Sequence, residues 1–348
     1  MSSKIFLQEN VPLAPLTTLN VGGAARYFLL AETEDDVING FDFARQNDLP
    51  VFVLGGGSNL LISDSGFNGL VIRIGIRGVY ENREVVTAAA GENWDEFVAR
   101  CVDNDLAGIE CLSGIPGTIG GTPVQNVGAY GQEVSETIVK VSCYERQTGD
   151  IVDLSNKDCG FQYRVSIFNT TARDRYVVLS VTYRLKKHRE PRLAYKDLID
   201  AFGSNKPTLK EVRDRVLQIR RLKSMVIDPD DPNRHSAGSF FKNPIVSAVE
   251  FERIREPFDE PIPHFPVGEA QIKIPAAWLI EHSGFYKGFA LRNAGISTRH
   301  TLAIINRGGA TAAEIVVLKN TIQNAVLERF GIALVPEPVF VGDFTAKN

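Results

Sequence analysis

Apolar residues along this chain recur at two periods, and the changes between them mark its elements. A helical period opens at Thr33, with Asp36 placed as a capping-box acid, and runs to about Asn47. The short apolar run Val51-Phe52-Val53-Leu54 then enters Gly55-Gly56-Gly57, and Leu70-Val71-Ile72 reads as a following strand. From Glu92 to Asn104, Trp94, Phe97, Val98, Cys101 and Val102 fall on one face of a second helix. Between Lys140 and Leu185 the pattern is mostly strand, with Val139/Val141/Cys143 and Val177/Leu179/Val181/Tyr183 alternating. A capping box at Thr208 and Glu211 starts a helix carrying Val212, Val216 and Ile219 on one side. The proline- and acid-rich stretch from Pro244 to Ile274 reads as irregular, an insertion or a mobile connection. The last helix is capped by Thr311 and Glu314, buries Leu318, Ile322, Ala325 and Phe330, and leaves through Gly331 in a left-handed exit. With no internal repeat, the expected class is a mixed α+β enzyme of several lobes.

Composition narrows the class. A chain of 348 residues exceeds what one compact core normally holds, so two or three domains are expected. A formal net charge of -4, with Lys and Arg scattered, argues against a nucleic-acid or membrane-surface partner. The start MSSKIFLQENVPLAPL has no apolar h-region, and no stretch approaches the roughly 20 apolar residues of a membrane span. Cys101, Cys111, Cys143 and Cys159 form no C-x-x-C pair, which suits a reducing, cytoplasmic setting and buried thiols. The histidines are dispersed without ligand spacing, so no metal site is expected.

Two glycine-rich segments are candidates for an anion cradle. One is Leu54-Gly55-Gly56-Gly57-Ser58-Asn59-Leu60, directly after a strand. The other is Ser113-Gly114-Ile115-Pro116-Gly117-Thr118-Ile119-Gly120-Gly121, followed by Gln125-Asn126-Val127-Gly128-Ala129-Tyr130-Gly131. Successive glycines let N–H groups converge on an anion without side-chain obstruction. Neither segment is a dinucleotide fingerprint or a P-loop, and one alone would read as a tight turn. Two together point to a cofactor diphosphate.

Three further clusters carry candidate chemistry. Arg164, among Phe161, Tyr163 and Phe168, has the fork that grips a carboxylate, though a half-buried strand Arg reaching for water has the same pattern. Ser239, in Gly238-Ser239-Phe240-Phe241-Lys242-Asn243-Pro244, is either a turn serine or a proton donor in a site that excludes water; no G-x-S-x-G elbow accompanies it. Glu337 stands between Pro336 and Pro338 in an apolar stretch, where an unpaired charge is costly and central-strand pairing is blocked. It is therefore either paired or functional.

Taken in order along nearly the whole chain, these stretches, with Thr17-Thr18-Leu19-Asn20-Val21-Gly22-Gly23, resemble the UDP-N-acetylenolpyruvoylglucosamine reductase family. The resemblance implies two FAD-binding lobes of the vanillyl-alcohol-oxidase (PCMH) type and an α+β substrate-binding domain. These fall at residues 1–75 (with 336–348 returning to that lobe), 76–205 and 206–335. It implies non-covalent FAD held by Leu54 to Leu60, by Ile115, Pro116, Gly117, Thr118, Gly120 and Gly121, and by Gln125, Asn126, Gly128 and Ala129. NADPH would be the co-substrate, and the enolpyruvyl group of a UDP-sugar would be reduced in peptidoglycan precursor synthesis. Arg164 and Glu337 would stabilise the enolate and Ser239 would give the proton. Tyr163, Tyr195, Lys223, Asn243 and Lys273 would hold the substrate. Tyr195 in Tyr195-Lys196-Asp197-Leu198, and the long segment before Lys273, look like the longer subtype, in which a tyrosine-bearing loop closes over the substrate. A monomer with no nucleic-acid or membrane partner is expected.

Overall fold

The computed structural model describes residues 6–345. The chain forms two compact units. The first takes the described residues up to Val11, Ala25–Gly57 and Asn68–Ile227. The second takes Pro12–Ala24, Ser58–Phe67 and the chain from Asp228 onward.

In the first unit a four-stranded sheet has the order Gln8–Pro12, Ala24–Ala31, Phe67–Ile74, Val51–Leu54. Its last two strands run parallel, with Val51 opposite Leu70 and Leu54 opposite Arg73. Helix α1 (Glu34–Gln46) starts from the expected capping box: the Thr33 hydroxyl accepts the Asp36 N–H, and the Asp36 carboxylate accepts the Thr33 N–H. It lies so close to the sheet that a Cβ on Gly40 would stand 2.7 Å from Leu29 Cδ2. A five-stranded antiparallel sheet follows, ordered Ile151–Ser155, Ile138–Glu145, Tyr176–Arg184, Val85–Ala89, Val79–Asn82. Helix α2 (Trp94–Asp103) buries Trp94, Phe97, Val98, Cys101 and Val102, the face that the spacing predicts. Trp94, Phe97 and Tyr183 pack ring to ring there. Helices α3 (Lys196–Phe202) and α4 (Leu209–Leu222) complete the unit, and α4 buries Val212, Val216 and Ile219 as expected. All four cysteines are buried free thiols.

The second unit has its own core of Phe240, Phe241, Leu279, Ile280, Ile304, Ile315, Leu318 and Ile322. Full burial of each such side chain contributes about 1.5–3 kcal/mol. Helix α5 (Ala248–Arg255) and the antiparallel strands Ile245–Ser247, Gln271–Lys273 and Phe265–Val267 occupy the stretch expected to be irregular. The reason is local: Ser247 and Glu250 make a full capping box, and three-residue strands are too short to show alternation. Helix α6 (Ala276–Glu281) and helix α7 (Ala312–Phe330) pack on the same core. Helix α7 ends at Gly331 with φ +73°, which a side chain would resist. Leu318, Ile322 and Phe330 are buried on it as expected, while Val326 is fully buried in place of the partly buried Ala325. The terminal strand Val339–Val341 pairs in parallel with Leu60–Ile62. No helix among the described residues is long and apolar enough to cross a membrane.

Candidate active site

Two of the glycine segments meet in the first unit. A Cβ on Gly56 would come within 2.6 Å of Gly117 Cα, and one on Gly55 within 3.1 Å of Thr118 Oγ1. Only bare backbone allows that approach. The second loop is laid along the start of α2: Trp94 N–H donates to Gly117 O at 3.1 Å, Ile119 N–H to Glu92 O at 2.9 Å, and Gly120 N–H to Ala90 O at 2.9 Å. Gly120 is thus a packing glycine, since a Cβ there would stand 2.7 Å from Ala90 Cβ.

The N–H groups of Gly56, Gly57, Gly117 and Thr118 make no hydrogen bond among the described residues. The Thr118 hydroxyl oxygen is buried and has no partner there either. A buried polar atom is normally satisfied, so the Thr118 hydroxyl, with unbonded N–H groups beside it, fits an anionic ligand such as the diphosphate of FAD. Gly56→Ala is expected to cost about 1–3 kcal/mol through overpacking against Gly117. FAD affinity should fall about tenfold or more, as read by ultrafiltration of the flavin from the purified protein.

Arg164 sits on a tight turn rather than in a strand, which corrects the strand reading of that stretch. Gln162 and Val165 exchange backbone hydrogen bonds of 2.9 and 3.0 Å across it. Arg164 takes φ +57°, a left-handed conformation costing a residue with a Cβ roughly 1–2 kcal/mol. Asn126 (φ +45°) and Tyr130 (φ +50°), in the facing segment, share it. Such clusters of strained backbone gather at functional sites. The guanidinium donates to Gly128 O at 2.6 Å and Asn126 O at 3.4 Å, and lies 5.5 Å from the Tyr163 ring centroid.

Asn126, expected among the cofactor contacts, is only 1% exposed. Its Nδ2 donates to Glu133 Oε2 at 2.8 Å and Gln162 O at 3.0 Å, and its Oδ1 accepts Ser135 N–H at 3.1 Å. Its side chain thus helps to hold the Arg164 turn through Gln162 O.

Tyr195 precedes α3 and meets Tyr130 edge-on at 5.3 Å. Burial pushes both phenols above their usual range, so each remains a hydroxyl donor. Buried Arg220 lies beside this cluster, its charge acting on the Tyr130 phenol, and it donates to Met225 O at 2.6 Å. Neither Tyr130 nor Arg220 was singled out by sequence reasoning. Tyr130 lay inside a glycine motif, and Arg220 looked like one of several surface cations on α4. Lys223 caps α4 and lies 3.4 Å from Asp197 Oδ2, with both side chains well exposed. Such a pair is weak and leaves the ammonium open to a phosphate.

In the second unit, Ser239 and Glu337 are neighbours across a backbone junction. Glu337 N–H donates to Phe240 O at 2.9 Å, and Phe241 bridges Pro336. The other side of Glu337 is fixed by the glycine segment, because Asn59 Nδ2 donates to Glu337 O at 3.2 Å and Val339 N–H donates to Asn59 O at 2.9 Å. Ser58 O in turn accepts the Thr18 hydroxyl at 3.3 Å. The half-buried Ser239 hydroxyl has no hydrogen-bond partner among the described residues and is available as a donor. Asn243 Oδ1 accepts Ala276 N–H at 2.9 Å at the start of α6, which leaves its Nδ2 for a ligand. Lys273 occupies the middle strand opposite Ile245 and Phe265, its ammonium 5.9 Å from the Phe265 ring centroid.

The structure thus brings Ser239, Glu337 and Asn59 together in one unit. In the other it gathers Arg164 with Tyr163, Asn126 and Gly128, and pairs Tyr130 with Tyr195.

Residues 25–155 match the FAD binding domain family, and residues 230–341 match the C-terminal domain of UDP-N-acetylenolpyruvoylglucosamine reductase. The UDP-N-acetylenolpyruvoylglucosamine reductase of Thermobifida fusca is 47% identical, with 96% of this chain and 98% of that protein aligned. That of Mycobacterium ulcerans is 43% identical, over 96% and 95% respectively. The crystal structure of the reductase from Thermus caldophilus superposes with a TM-score of 0.68 at 25% identity, covering 97% of this chain and all of that one.

Proposed function

The chain belongs to the UDP-N-acetylenolpyruvoylglucosamine reductase family, and from that premise we propose that it reduces the enolpyruvyl double bond of UDP-N-acetylenolpyruvoylglucosamine to give UDP-N-acetylmuramate, with NADPH as the reductant. The observation that carries the reading is the junction at Glu337. There the segment bearing the Ser239 hydroxyl meets the segment bearing the Glu337 carboxyl group through the Glu337 N–H to Phe240 O bond of 2.9 Å, and Asn59 ties the Glu337 segment through bonds of 2.9 and 3.2 Å.

FAD, held at its diphosphate by the Gly55–Gly57 and Ile115–Gly121 loops, supplies the hydride chemistry when bound. The chain's own residues handle charge, orientation and the proton. As the double bond is reduced, negative charge gathers on the carbon beside the carboxylate and on the carboxylate itself. Arg164 opposes that charge, and its guanidinium is oriented beforehand by the Asn126 and Gly128 carbonyls, so little reorganisation remains for the reaction. Glu337 contributes as a hydrogen-bond donor or by orienting Arg164, because a bare carboxylate would repel the developing enolate. Ser239 gives its hydroxyl proton to the carbon beside the carboxylate and so completes the reduction. Tyr163, Tyr195, Lys223, Asn243 and Lys273 orient the UDP-sugar, with Lys223 on the diphosphate and Tyr195 on the closing loop.

Incubating the FAD-loaded protein with NADPH and the enolpyruvyl UDP-sugar should yield a product heavier by two hydrogens on mass spectrometry. Unchanged substrate would contradict the proposal. Glu337→Gln keeps a donor and should retain far more turnover than Glu337→Ala, whose expected loss is about 10²-fold or greater. Equal losses in the two variants would remove the donor role.

A further inference from the structure

We propose that Asp95 is a positioning residue for the cofactor, whose carboxylate fixes the launch point of the Ile115–Gly121 loop and ties α4 to it. The proposal rests on the reading that this loop holds FAD.

Three hydrogen bonds meet at this carboxylate. Oδ1 accepts Gly114 N–H at 2.6 Å and Arg213 Nη1–H at 2.6 Å, and Oδ2 accepts Arg213 Nη2–H at 2.9 Å. The Arg213 side chain is only 14% exposed and the Asp95 side chain 34%, so this two-pronged pair is shielded in a way surface pairs are not. Burial raises the Asp95 carboxyl, but the bonds from Arg213 and Gly114 outweigh it and hold the group below the ordinary aspartate range. It is therefore ionised at neutral pH.

Gly114 is where the chain turns into the loop, at φ +72°. A Cβ there would meet Leu217 Cδ2 of α4 at 2.7 Å, so α4 lies directly on this backbone. Elsewhere the loop is held by backbone bonds to the segment before and at the start of α2. The Gly114 tie differs in being made by a charged side chain that also grips a helix outside the matched FAD binding domain, which ends at residue 155. Helix α4 carries Lys223 at its C-terminal cap, so one carboxylate sets the cofactor loop and the register of a proposed substrate-binding helix. A purely structural ion pair would need only Arg213 and Asp95. The bond to Gly114 is the part that bears on the cofactor.

The test compares Asp95→Ala, Asp95→Asn and Arg213→Ala in the full chain. FAD dissociation constants are measured by ultrafiltration well below each unfolding midpoint, and the midpoints are measured separately. Asp95→Ala removes the acceptor from Gly114 and should weaken FAD about tenfold to a hundredfold. Asp95→Asn and Arg213→Ala break the ion pair but keep an acceptor for Gly114. Both should lower the unfolding midpoint yet hold FAD within about threefold of the parent, since the Gly114 bond survives. Parental affinity in Asp95→Ala overturns the proposal, as does an equal loss in all three variants. Should Asp95→Ala not fold, Asp95→Leu, which likewise removes the acceptor from Gly114, replaces it under the same expected and overturning results. A parent protein that binds no FAD overturns the underlying reading itself, a result distinct from those above.

Discussion

Ser239→Ala is expected to leave the bleaching of bound FAD by NADPH at its parental rate while slowing the return of colour on adding the UDP-sugar by roughly 10²–10⁴-fold, the range for loss of a positioned proton donor. The split follows from where the hydroxyl sits. It is half-buried on a segment fixed by the Phe240–Glu337 backbone bond and has no hydrogen-bond partner among the described residues. It takes part in no cofactor-loop hydrogen bond, so its loss should spare the half-reaction with NADPH. The substitution also leaves Phe240 and Phe241 in the core, and folding should be unaffected. Stopped-flow absorbance of the two half-reactions decides. Equal slowing of both would point to a displaced cofactor, and parental rates in both would remove Ser239 from the proton step.

Arg164→Met is expected to lower kcat by about 10²–10³-fold, the cost of removing one preorganised group that faces developing charge. Methionine keeps the bulk of the side chain and removes the charge and the fork. The bonds to Gly128 O and Asn126 O vanish with it, leaving two carbonyls without that donor. Arg164→Lys isolates the fork. It restores charge but not planar two-pronged recognition, so it should recover only part of the loss. A lysine variant with parental kcat would show that charge alone suffices there. Arg164→Gly reports on the backbone: glycine adopts φ +57° without strain, so this variant should be inactive yet no less stable than Arg164→Met in thermal unfolding.

How much of this was legible in the sequence depended on the range of the forces involved. Helices α1, α4 and α7 announce themselves through Thr33/Asp36, Thr208/Glu211 and Thr311/Glu314, because a capping box is complete within four residues. Helix α5 carries the same signal in Ser247/Glu250, but the prolines around it masked the pattern. The glycine loops stood out in the sequence as a candidate anion cradle, since converging N–H groups need glycine wherever they occur. Which glycines serve packing was not: Gly120 is required by Ala90, a contact with no local trace.

Arg164 was legible as a candidate but not its conformation, because a non-glycine residue in a left-handed turn carries no compositional mark. Asn126 holds that turn at Gln162 O, a tie 36 positions away in the chain. Glu337 was marked by its flanking prolines. Its tie to Asn59 spans 278 positions, and no periodicity reaches that far. The Asp95–Arg213 pair, 118 positions apart, was hidden for the same reason.

The most direct test of the account is the absorption spectrum of the purified protein under anaerobic conditions, taken alone, after NADPH, and then after the enolpyruvyl UDP-sugar. The account predicts a yellow protein that NADPH bleaches and that one equivalent of the UDP-sugar returns to yellow. A colourless protein that takes up no added FAD, or a bleached one that recovers its colour with oxygen but not with the UDP-sugar, would contradict it.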